Sequence, residues 1–133
     1  MSYNEDTIDD AKCPLNWDDV YGRIGDESII EEFAGAFLKN SLTLMLSLKS
    51  AVASISPEQI ELYAHALKGS ASNMGAIALA KKAWRLEKAA AEKKLDNVGE
   101  LFAAVKKEYL DLKEFFENPD WIARAKQMPA KVS

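Results

Sequence analysis

From Asp26 to Phe116 apolar side chains return every three or four positions, and no stretch alternates apolar and polar residues as a half-buried strand must. The chain also lacks an Asn-Gly or Asp-Gly hairpin turn and a β-branched run. That spacing restricts it to helices. Because the connectors between the long amphipathic stretches are short, neighbouring helices are expected to run antiparallel. The predicted fold is all-α: an up-down-up-down antiparallel four-helix bundle with a short additional N-terminal helix.

The boundaries follow from local chemistry. Residues 1–13, with Glu5, Asp6, Asp9 and Asp10 and few apolar side chains, read as a mobile acidic arm. The bundle is expected over 14–118. Asn16 caps the short first helix, with Leu15 and Val20 placed as a hydrophobic staple and Trp17, Val20, Tyr21 and Ile24 on one face. Gly25 ends it and Asp26 opens the next segment. There Ile30, Phe33, Phe37, Leu44, Leu48, Ala51 and Ile55 recur at helical spacing, and the polar Lys39, Asn40 and Ser41 predict a kink or break. Ala76 to about Lys94, rich in Ala and Leu without Pro or Gly, forms a further helix. Asn97, with Glu100 three positions on, caps the last long one, whose seam is Val98, Leu101, Phe102, Val105, Tyr109, Leu112 and Phe116. Asn118 and Pro119 stop it. Residues 119–133 are expected to hold one short turn, capped by Asp120 and carrying Trp121 and Ile122, followed by a frayed tail.

The stretch SPEQIELYAHALKGSASNMGA, Ser56 to Ala76, carries the clearest start and stop signals. Ser56 as N-cap, Pro57 at the first helical position and Gln59 three residues after the cap make a capping box. At the far end Gly75 supplies the left-handed residue that closes the last turn. At about 100° per residue, Ile60, Tyr63, Ala64, Leu67, Ala71 and Met74 form one apolar stripe. His65, the only histidine, falls roughly 150° or more from the middle of that stripe. Its imidazole therefore points toward solvent and not into the core.

Lys68, Gly69 and Ser72 stand at i+3, i+4 and i+7 from His65, on the same side of the helix. A neutral imidazole is a competent nucleophile toward phosphorus, and a solvated one, titrating near 6.5 in model peptides, is largely neutral around pH 7. A neighbouring ammonium is suited to hold transferred phosphoryl oxygens, since phosphoryl transfer is catalysed mainly by positioning and by stabilising spread negative charge. Gly69 costs on the order of 1 kcal/mol relative to Ala in a helix interior. Beside an exposed histidine, that cost points to something large that must come close. The competing reading is an idle surface histidine next to an incidental glycine.

These residues resemble a known signature. AHALKGSASNMGA is similar to the phosphorylation-site motif of histidine phosphotransfer domains, H-x-L-K-G-S/A followed by a downstream Gly, with His65, Leu67, Lys68, Gly69 and Gly75 at the family's spacing. Arg85 to Ala90, RLEKAA, resembles the next-helix pattern of Leu-Glu followed by small residues. The likeness runs from about Asn16 to Phe116. It implies that His65 is the phosphoacceptor, Lys68 its cationic neighbour, and Gly69 the gap that admits the partner's active site. Leu62, Ala66 and Ser72 would complete the docking face. It further implies that partner receiver domains of response regulators, and a hybrid sensor histidine kinase, exchange the phosphoryl group with this chain. Mg²⁺ would come from the receiver, leaving no cofactor of the chain's own.

The remaining sequence narrows the classes. With 133 residues, 48% hydrophobic and 29% charged, the chain fits one domain with a real core, and its net charge of -4 argues against nucleic acid. One histidine and one cysteine, Cys13, without carboxylates at ligand spacing leave no expected metal site or intrachain disulfide. No apolar run spans a bilayer and no signal peptide is apparent, so a reducing cytoplasm is expected, and the chain is taken as a monomer. Without a Gly-rich nucleotide loop, the expectation is a stoichiometric phosphocarrier and not an enzyme. Met74, Trp84 and Phe102 are assigned to core packing. Two alternatives remain at this stage: a helical interaction module or scaffold in which His65 is not phosphorylated, and the phosphoacceptor domain of a chemotaxis-type kinase, disfavoured because no kinase domain follows.

Overall fold

The computed structural model describes residues 12–130. Six helices follow one another along these residues: α1 (Trp17–Ile24), α2 (Glu27–Ala53), α3 (Pro57–Asn73), α4 (Ile77–Ala91), α5 (Val98–Glu117) and α6 (Trp121–Gln127). Helices α2 to α5 form an antiparallel four-helix bundle in which α2 packs on α3 and α5, and α4 on α3 and α5. The most extensive contact is between α3 and α4. Alanines on both helices, Ala64 and Ala71 from α3 and Ala80, Ala83 and Ala90 from α4, are buried and remove the bulk that would hold the two axes apart.

The caps of the first three helices are those the sequence specifies. Asp19 N donates to Asn16 Oδ1 at 3.0 Å, Ile29 N to Asp26 Oδ1 at 3.2 Å and Gln59 N to Ser56 Oγ at 3.4 Å. Gly25 closes α1 at φ 74°. Gly75 follows α3 at φ 72°, and its peptide ties two elements together, since Asn16 N donates to Gly75 O at 2.8 Å. A Cβ at Gly75 would meet Asn16 O at 2.8 Å, so both the backbone angle and the close approach of α1 require glycine there.

The structure departs from several expectations. No break interrupts α2, which runs for 27 residues, about 40 Å. Ser41 sits on its buried face, where Oγ donates to Leu38 O at 3.4 Å and so needs no interruption of the helix. Phe33 and Ile55 are exposed and Leu44 is half-buried; Ala34, Ser41 and Met45 take the core positions instead. Ile55 has left α2 altogether and lies in the connector at φ 50°. Neither Asn97 nor Asp120 makes a side-chain cap; Asp120 N donates instead to Asn118 Oδ1 at 2.9 Å.

Residues 1–11 of the expected acidic arm and 131–133 of the expected tail lie outside the described residues, but Cys13 and helix α6, at the two edges of those residues, pack against the bundle. Cys13, placed by the sequence in the arm, is fully buried, and its N donates to Pro129 O at 2.9 Å. Helix α6 is anchored by Trp121, which packs edge-on against Trp17 and Phe116, while Lys126 pairs with Glu27 and lies over the Trp17 ring. Aromatic burial of this size outweighs the ordering cost of one short helix. Among the described residues, no helix is long and apolar enough to cross a membrane.

Candidate functional site

Helix α3 buries Ile60, Ala64, Leu67, Ala71 and, just past its end, Met74. Fully burying a side chain such as Ile60 or Leu67 contributes roughly 1.5–3 kcal/mol, which fixes the helix's rotation about its own axis. That rotation turns His65 outward, with its side chain 68% exposed. Leu62, Ala66, Gly69 and Ser72 are exposed on the same side and Lys68 is half-buried, so all six sequence-derived positions lie on the outer surface of one helix. They are not equivalent. At about 100° per residue, Lys68 flanks His65 on one side and Leu62 and Ala66 on the other.

Lys68's side faces α4, and there the structure adds a residue to which the sequence reading gave no role. Glu87 reaches across from α4 so that His65 Nδ1 lies 2.8 Å from Oε2 and Lys68 Nζ 2.8 Å from Oε1. The Lys68 contact falls outside hydrogen-bond geometry and acts as a charge pair. Partial burial by itself pushes the Glu87 carboxyl up; the Lys68 ammonium and the His65 imidazole against it outweigh that and hold it below its ordinary 4.5. Glu87 is thus an ionised acceptor near pH 7. An ionised carboxylate carries no proton, so the 2.8 Å contact requires the hydrogen on Nδ1. In the neutral imidazole the lone pair is then on Nε2, the ring nitrogen not engaged by Glu87. A sequence signal for Glu87 did exist. His65 and Glu87 lie eleven positions either side of Ala76 in the α3–α4 connector, and residues equidistant from a short connector come side by side in an antiparallel pair.

Gly69 has open space around it: a Cβ there would meet nothing within 4 Å. Nothing in the fold requires glycine at this position. Ser72 lies toward α1, and its carbonyl accepts from Arg23 Nη2 at 3.1 Å while the same guanidinium pairs with Asp19 at 2.8 Å. Trp84 is not core. It is 47% exposed, with Lys88 Nζ 5.3 Å from its ring centre, whereas Met74 is buried and Phe102 half-buried. Among the described residues no group of three or more His, Cys, Asp or Glu is placed to hold a metal ion.

An exposed imidazole with a fixed tautomer, an adjoining ammonium and clear space one turn away are the groups that phosphoryl transfer to a surface nitrogen requires. The Hpt domain family's model matches residues 32–115, which contain all of these groups. The chain belongs to the Hpt domain family. It is accordingly a histidine phosphotransfer protein of phosphorelays, a phosphocarrier that works with receiver domains. The fold of this Hpt domain is similar to the crystal structure of histidine-containing phosphotransfer protein B (HptB) from Pseudomonas aeruginosa PAO1, with a TM-score of 0.73 at 22% sequence identity, over 85% of this chain and 95% of that one. No curated protein matches the Hpt chain.

Proposed function

We propose that His65 is the phosphoacceptor, taking a phosphoryl group from the aspartyl phosphate of one receiver domain and passing it to another. The observation that carries this reading is the His65–Glu87 pair, because it leaves Nε2 unprotonated and unobstructed on an exposed face. In the forward step Nε2 attacks phosphorus in line, the Nε2–P bond forms, the aspartyl O–P bond breaks, and the carboxylate leaves with its electron pair. The ring keeps its Nδ1 proton and gains positive charge, which the Glu87 carboxylate faces at hydrogen-bond distance. Lys68 stands one turn along, placed to neutralise the phosphoryl oxygens. Gly69 provides the clearance through which the receiver's phosphoaspartate reaches the ring. Leu62, Ala66 and Ser72 belong to the docking face.

On this reading the protein is a monomeric cytoplasmic carrier that is phosphorylated and discharged stoichiometrically, with a hybrid sensor histidine kinase upstream and Mg²⁺ held by the receiver. The test is incubation with receiver domains charged with labelled acetyl phosphate. An acid-labile, alkali-stable label is expected on the wild type and none on His65→Gln, with helical content and Tm nearly unchanged. Equal labelling of the variant would remove His65 from the role.

A further inference from the structure

Helix α4 carries a stripe that neither the core nor His65 accounts for. Lys81, Trp84, Arg85 and Lys88 stand at i, i+3, i+4 and i+7 and are all exposed. Trp is a costly side chain to leave half in water, since burying an aromatic ring of this size brings more than most other residues. Lys81 and Arg85 have no ion-pair partner among the described residues. Helix α4 and the three residues after it, 77–94, contain six Lys or Arg against two Glu, in a chain whose net charge is -4. This segment is therefore net positive in an otherwise acidic chain, and it holds the helix that packs beside the histidine.

Beside this stripe lies a groove of about 530 Å³ between α1, α3 and α4, whose charged lining is Asp19, Arg23, Lys68 and Lys81, with Trp84 on the α4 wall. It is continuous with the phosphoacceptor site, because Lys68 lines the groove and pairs with Glu87, the partner of His65. Arg23 is already held by Asp19 and by the Ser72 carbonyl, which makes it a fixed wall. Lys81 and Arg85 remain available to an incoming anion.

We infer that this groove takes an acidic surface segment of the receiver domain, seated with an apolar side chain against Trp84 and its carboxylates toward Lys81 in the groove and Arg85 one turn along the stripe outside it. The inference rests on the phosphotransfer reading of His65 and extends the footprint of docking from α3 onto α4 and α1. Charge complementarity selects the occupant: the partner that delivers an aspartyl phosphate brings negative charge to this face, and free cations around an exposed Trp are the composition that steers and then anchors such an approach. The groove thus becomes a determinant of which receivers are accepted, separate from the histidine chemistry.

The experiment measures the second-order rate constant for phosphoryl transfer from each receiver domain of the same genome, charged with labelled acetyl phosphate, to the wild type and to Trp84→Ala, Lys81→Glu and Leu110→Ala. Leu110 is an exposed leucine on α5 and serves as the control. Trp84→Ala and Lys81→Glu are expected to lose about tenfold, with Leu110→Ala unchanged and the loss in Lys81→Glu shrinking at high salt. Because Trp17 and Trp121 are buried, receiver binding should also shield the tryptophan fluorescence from iodide quenching in the wild type, and not in Trp84→Phe. Wild-type transfer with an unchanged second-order rate constant in both groove variants would overturn this inference and leave His65 as the acceptor. Absence of any wild-type labelling would overturn both. Trp84-dependent self-association in sedimentation, with no effect on transfer, would assign the groove to a second copy and likewise overturn it.

Discussion

Glu87 Oε2 lies 2.8 Å from His65 Nδ1 across the α3–α4 interface, and the other oxygen of the same carboxylate holds Lys68. One side chain on α4 therefore sets both the proton position of the His65 ring and the resting place of the Lys68 ammonium.

Glu87→Gln is expected to lower the rate of His65 phosphorylation by about tenfold, the cost of one charge-assisted hydrogen bond that strengthens as the ring gains charge. The ¹⁵N shifts of the imidazole should show a mixture of tautomers in the variant where the wild type shows one. A variant with wild-type rate and a single Nδ1–H tautomer would exclude Glu87 from positioning the ring.

The same carboxyl gives a pH signature. Its folded pKa is held below the ordinary 4.5, so its contribution to stability is fully present above that value and is lost as pH falls through the lower folded one. The Tm difference between wild type and Glu87→Gln should shrink as pH is lowered from about 4.5 toward 3, where the folded carboxyl takes up its proton. A difference that stayed constant across that acid range would contradict the pairing.

Lys68→Ala should slow transfer by about tenfold or more while weakening receiver binding only modestly. Separate measurement of Kd and of the single-turnover rate checks the split. Equal loss in both would make Lys68 a docking contact instead of a stabiliser of the phosphoryl group.

Gly69→Gln separates docking from folding. With nothing within 4 Å of a Cβ there, the helix should gain up to about 1 kcal/mol from propensity, raising Tm. Transfer should fall steeply, since in-line attack tolerates little misplacement. A variant both more stable and fully active would show that the clearance at Gly69 serves no partner.

Gly75→Ala is expected to act in the opposite sense on stability. The left-handed backbone at φ 72° disfavours any Cβ, and this one would sit 2.8 Å from Asn16 O. A loss of about 2 kcal/mol, read as a Tm lower by roughly 5–10 °C, follows.

The sequence by itself determined what depends on residues near one another in the chain. The cap at Ser56, the proline at the first position of α3 and the glycine after Met74 are contacts within one or two turns, so the bounds of α3 were legible. The outward direction of His65 was legible too, because a 3.6-residue period places every side chain of a helix relative to its apolar stripe. Tertiary packing decided the rest. Glu87 meets His65 only because small residues let α4 close on α3 in one register. Trp84 and Phe33 read as core from their type and spacing, yet they face solvent, since burial depends on which neighbour a face meets and not on how apolar it is. Ser41 and the polar residues before it looked like a kink or break in α2, but its hydroxyl is satisfied by the turn beneath it and the helix continues without a break. Periodicity fixes the faces of each helix, while the partner across each face is a nonlocal choice made by packing the whole bundle.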